Sequence, residues 1–91
     1  MSIAGVRYKI MPESLDIDLS KIKEAIETVV ETFESGKLSE AVEEPIAFGL
    51  KALVITIALS EAEETEIVEA KIMEIEGVSS VELIDYRRAV G

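Results

Sequence analysis

The 91-residue chain has no cysteine, no histidine and no tryptophan, and only 4% of its residues are aromatic. Without cysteine there is neither a disulfide framework nor a thiolate nucleophile. Without histidine the usual imidazole base and nitrogen metal ligand are missing, so much enzyme chemistry is excluded. Cations are scarce too: nine lysines and arginines face 19 acids, a net charge of −10 that repels nucleic-acid phosphates. The acids are spread over both halves of the chain, so the negative sign belongs to the whole surface. Direct binding of RNA or DNA is not expected. The longest apolar run, Ala52 to Leu59, falls far short of the roughly 20 residues that cross a bilayer. No basic stretch followed by an apolar run opens the sequence, and a soluble, cytoplasmic protein with no membrane contact is the expectation.

What is present suits a small folded unit. With 48% hydrophobic residues the sequence can fill a core, and its length fits a single domain over residues 1–91. Val6, Tyr8 and Ile10 alternate with Arg7, Lys9 and Met11, which predicts a strand closed by Pro12. After a loop over residues 12–17, Asp18 can cap a helix whose apolar positions are Leu19, Ile22, Ile26, Val29, Val30 and Phe33, with Gly36 as its stop. Leu38, Val42 and Ile46 are in phase for a second strand. Pro45 cannot donate to a ladder, so this strand belongs on an edge or ends before the proline.

Gly49 marks a bend, and Leu50 to Leu59 is a nearly continuous apolar run rich in β-branched residues, the pattern of a central strand. Ser60 and Glu63 match a capping box, and Val68, Ile72 and Ile75 define one side of a second helix closed by Gly77. Its start, at Glu61 or after Thr65, is open. Val78 to Tyr86 returns to strand character, and Arg87 to Gly91 form a short tail. The order βαββαβ is the split βαβ weave of the ferredoxin-like α+β class: a four-stranded antiparallel sheet with both helices on one face. Right-handed crossovers put the first and third strands in the centre.

This weave serves many functions, so its chemistry must be sought in residues. A metal carrier wants paired cysteines, and there are none. An RNA binder wants stacking aromatics on its central strands, where Tyr8 stands alone. A phosphate-hydrolysing version wants a cationic loop after the first strand, but that loop carries Glu13, Asp16 and Asp18 and repels phosphate. Glu43 and Glu44 are adjacent on a strand and point to opposite faces, so they do not converge on a metal or a reacting atom. The glutamates from Glu61 to Glu69 suit the positive end of a helix dipole. No catalytic residue, metal site or cofactor is expected.

One stretch stands out. At the turn between the second and third strands, Phe48 sits beside Gly49. Either the ring folds back to close the core, or it stands out as an anchor for a partner.

Pro45-Ile46-Ala47-Phe48-Gly49-Leu50-Lys51-Ala52-Leu53 closely resembles a segment of the guanine-nucleotide exchange domain of translation elongation factor one beta, most nearly in its short archaeal form. Met11-Pro12-Glu13-Ser14, Glu43-Glu44 before the hairpin, and Glu76-Gly77-Val78-Ser79 extend the similarity along essentially the whole chain. The resemblance implies a ferredoxin-like exchange factor that binds the GTPase elongation factor one alpha and promotes release of GDP. It implies that Phe48, with Gly49 beside it, packs against the GTPase. It also implies that a cation near the chain end reaches toward the phosphate and magnesium region. Here that position is Arg88, preceded by Arg87 and followed by three residues, where eukaryotic members have a lysine and a single hydrophobic terminus. Arginine keeps the charge but not the compact ammonium. Lys51 matches the first lysine of the family's Gly-Ile-Lys-Lys-Leu. The alternative from another class is a small regulatory module of the same weave that dimerises through its open sheet face and binds an amino acid.

Overall fold

A computed structural model describes residues 2–88. Six elements follow in the expected order: β1 (Ile3–Pro12), α1 (Leu19–Glu31), β2 (Lys37–Pro45), β3 (Lys51–Ser60), α2 (Thr65–Met73) and β4 (Val78–Arg88). The four strands form one sheet in the order β2-β3-β1-β4, antiparallel at every pairing, so β1 and β3 are central. This is the ferredoxin-like α+β fold that the sequence pattern predicts.

The period-two pattern of the central strands decides which face is covered. Ala4, Val6, Tyr8 and Ile10 of β1 lie beside Leu59, Ile57, Ile55 and Leu53 of β3, and all eight are buried. Leu19, Ile22, Ile26 and Val30 of α1, with Val68 and Ile72 of α2, close over them in a single cluster. Each such aliphatic side chain contributes about 1.5–3 kcal/mol when fully buried. Asp18 caps α1 as its sequence position suggests: Oδ1 accepts from the Ser20 N–H at 2.9 Å.

Four local expectations are corrected. In β2 a bulge at Ser39 shifts the register between Leu38 and Glu40, so Leu38 and Ala41 pack toward the core while Val42 turns to the open face. The edge position expected of the Pro45 strand holds, with Pro45 as its last residue, whereas Ile46, expected within the strand, falls in the hairpin loop. Ser60 and Glu63 close a turn instead of capping a helix: Ser60 Oγ accepts from the Ala62 N–H and the Ser60 carbonyl from the Glu63 N–H, and α2 starts only at Thr65. Arg87 and Arg88 are no tail. They extend β4, paired with Gly5 and Ala4. Ala89, Val90 and Gly91 lie outside the described residues.

After α1 the left-handed residue is Ser35, at φ +61°, and Gly36 serves a different need. A Cβ there would stand 1.9 Å from the Val30 carbonyl oxygen, so only glycine lets the chain pass this close to the end of α1.

Candidate functional site

The β2–β3 hairpin is closed by the Leu50 N–H donating to the Ala47 carbonyl at 3.0 Å and the Ile46 N–H donating to the Leu50 carbonyl at 2.8 Å. Its two central residues both have positive φ, +55° at Phe48 and +81° at Gly49, as a type I′ turn requires. Glycine takes this conformation freely. A bulky aromatic does not, and the left-handed backbone costs roughly 1–2 kcal/mol. The strained turn throws the ring outward: Phe48 is 96% exposed. The core-closing alternative for this residue is thereby excluded.

Lys51 opens β3 just past the turn, its Nζ 3.7 Å from Glu43 Oε1 on the neighbouring strand. Glu44, pointing to the other face, approaches Lys9 at 3.9 Å. Both glutamates are thus engaged with cations, on opposite sides of the sheet. Among the described residues no group of three acidic side chains converges to hold a metal ion.

Beneath the hairpin tip lies a cleft of about 380 Å³ against the β1–α1 loop, with Pro12, Ile17, Leu19 and Leu50 in its apolar lining and Asp18 and Glu43 among its polar groups. Leu15 rises from the loop beside the turn, 62% exposed, with Cδ2 3.5 Å from the place a Cβ on Gly49 would occupy. The loop is braced. The Glu13 N–H donates to the Gly77 carbonyl at 2.9 Å, and the Asp16 N–H to Ser14 Oγ at 3.3 Å.

The two arginines stand elsewhere. Arg88 pairs with Ala4, whose other neighbour is Leu59, so it sits eight residues along β3 from Lys51, a distance of about 26 Å. Arg87 Nε is 3.0 Å from Asp85 Oδ2, and Arg88 Nε is 3.3 Å from Glu61 Oε1. The sequence-predicted residues therefore form two groups at opposite ends of the sheet: Phe48, Gly49 and Lys51 at one, Arg87 and Arg88 at the other. Leu15 and Glu61 escape sequence reasoning, because a loop residue has no periodicity and Glu61 reads only as one acid in a run of them.

The described residues thus present a ferredoxin-like sheet with an aromatic ring held outward at a strained hairpin and with Lys51, Arg87 and Arg88 each beside a surface acid. Residues 5–88 match the EF-1 guanine nucleotide exchange domain, and the chain belongs to that family. It is 40% identical over 89 residues, covering 97% of this chain and 99% of the relative, to elongation factor 1-beta of Methanosarcina barkeri. It is 44% identical over 81 residues to elongation factor 1-beta of Methanothermobacter thermautotrophicus, covering 88% of this chain and 89% of the relative. With elongation factor 1-beta of Staphylothermus marinus the identity is 42% over 80 residues, 86% of this chain and 87% of the relative. Guanine-nucleotide exchange is the function of this family, and the amino-acid-binding regulatory module is not favoured.

Proposed function

We propose that this exchange domain, taken as residues 1–91, acts in the cytoplasm on the GTPase elongation factor one alpha, through protein contact and without covalent chemistry. Phe48 is its anchor, Gly49 shapes the turn that presents it, and Lys51 flanks it. Arg88, with Arg87 beside it, supplies positive charge at the far end. The observation that carries this reading is the Phe48 ring, held almost fully in solvent on a backbone that pays strain to keep it there.

Exchange of a bound nucleotide is a matter of coordination. GDP is held through its phosphates and a bridging Mg²⁺. A factor that binds better to the metal-free, distorted nucleotide pocket lowers nucleotide affinity by its own differential affinity for that state. Linkage makes the effect reciprocal: an incoming nucleotide expels the factor with the same free energy. The factor hastens release in either direction, and an excess of GTP over GDP sets the outcome. Because Lys51 and Arg88 are about 26 Å apart along the sheet and Phe48 lies beyond Lys51 in the hairpin, a partner touching both Phe48 and Arg88 must lie along the long dimension of the domain, 42 Å in extent. A multidomain GTPase is large enough.

The test is release of labelled GDP from purified elongation factor one alpha with and without this protein. Acceleration that is lost in Phe48→Ala, with an unchanged melting temperature, supports the reading. No acceleration at micromolar factor and low salt overturns it.

A further inference from the structure

Among the described residues the two most exposed large apolar side chains are Phe48 at 96% and Leu15 at 62%. They come from separate loops, 33 positions apart in sequence, and lie at the same end of the molecule, Leu15 Cδ2 standing beside Gly49, the residue that follows Phe48. Beside Leu15 and under the turn opens the cleft, whose lining mixes apolar and polar side chains. We propose that Leu15 and this cleft form a second contact point for the GTPase that receives Phe48, taking from it an apolar side chain flanked by basic residues. The proposal rests on the reading of Phe48 given above and extends that contact surface to a loop on the other side of the hairpin.

Three features favour this occupant. Pro12, Leu15, Ile17, Leu19 and Leu50 give the cleft hydrocarbon surface for an apolar side chain, beside the polar groups of Ser14, Asp18, Glu43 and Lys51. The surrounding charge is acidic: Asp18 and Glu43 line the cleft, Glu13 and Asp16 are exposed on the loop, and the nearby cation, Lys51, lies against Glu43. A partner surface that approaches a chain of net charge −10 at this acidic rim is matched by lysines and arginines. Finally, the loop is tied to the start of β4 through Gly77 and to itself through Ser14, so docking orders little chain and loses little conformational entropy.

The experiment titrates GDP release from elongation factor one alpha with wild-type factor, Leu15→Ala, Leu15→Asp, Phe48→Ala and Ile67→Ala, the last a half-exposed apolar residue on α2. Leu15→Ala should raise the half-saturating factor concentration roughly fivefold, and Leu15→Asp further, with the saturating rate and the melting temperature unchanged. Ile67→Ala should match wild type. Asp16→Lys should raise the half-saturating concentration at low salt, with the difference vanishing at high salt.

If Phe48→Ala is impaired while both Leu15 variants behave as wild type, the cleft proposal falls and the hairpin reading stands. If the Leu15 variants are impaired while Phe48→Ala is not, the cleft stands and the hairpin anchor falls. Equal losses in Ile67→Ala and Leu15→Ala overturn the proposal, since the effect is then not local. An Asp16→Lys variant that binds as tightly as wild type at low salt overturns the basic character assigned to the partner segment.

Discussion

Arg88 meets Glu61 with Nε 3.3 Å from Oε1, yet 77% of the arginine side chain remains in solvent. A pair this exposed is worth about 0–1 kcal/mol, so the guanidinium leaves its carboxylate at little cost when a stronger anionic or metal-linked target is presented. Arg88→Ala should lower the GDP-release rate at saturating factor roughly tenfold, which corresponds to about 1.4 kcal/mol. The half-saturating concentration should change far less. Stopped-flow release with a fluorescent nucleotide separates the two, and an equal change in both would assign Arg88 to simple binding.

The hairpin offers a trade between stability and contact. Asparagine tolerates the left-handed backbone much better than phenylalanine and forms the favoured Asn-Gly pair of a type I′ turn. Phe48→Asn should therefore raise the melting temperature by roughly 2–6 °C while abolishing most of the exchange activity. A melting temperature that falls would mean that the ring contributes packing at this turn.

Tyr8 is the buried aromatic of β1, and its hydroxyl points at the Thr65 carbonyl at 3.3 Å and Glu69 Oε2 at 3.4 Å. Burial, then the Glu69 charge and the hydrogen bond to it, push the phenol well above its ordinary pKa of 10.0. Because the folded value lies above the unfolded one, this group's contribution is complete below pH 10 and declines as the pH rises beyond it. Tyr8→Phe should cost about 1 kcal/mol at neutral pH, and the gap between the two proteins should narrow at alkaline pH. Urea denaturation on both sides of pH 10 measures it, and a gap that widens would reverse the assignment.

Gly36→Ala places a Cβ 1.9 Å from the Val30 carbonyl oxygen and 2.9 Å from its carbon, both backbone atoms that cannot swing aside. It should cost roughly 2–4 kcal/mol. Gly5→Ala, whose nearest contact would be the Arg87 carbonyl at 3.9 Å, is the matched control and should be nearly neutral in a thermal melt.

The elements whose burial follows a simple period are legible in the sequence itself. Val6, Tyr8 and Ile10 alternate inward, the third strand is continuously apolar because it is central, and Asp18 caps α1. Departures occur where the cause is non-local. The bulge at Ser39 inverts the phase of Val42, and no neighbouring residue announces it. Arg87 and Arg88 look like a polar tail, yet their pairing with Gly5 and Ala4 draws them into the sheet. Whether Phe48 turns in or out depends on the sign of φ at the turn, which the motif does not fix. Leu15, which stands beside Gly49, becomes visible only when two loops distant in sequence are brought to the same end of the molecule.

The outer strand β4 loses register with β1 twice, between Arg7 and Tyr8 and again between Met11 and Pro12. Each slip twists the free margin and interrupts its row of outward N–H and C=O groups, so another chain finds no long straight template to extend. At the opposite margin β2 presents Glu40, Glu43 and Glu44 and stops at a proline. With one border buckled and the other negatively charged, the domain resists fibre-like stacking even when its own concentration is high.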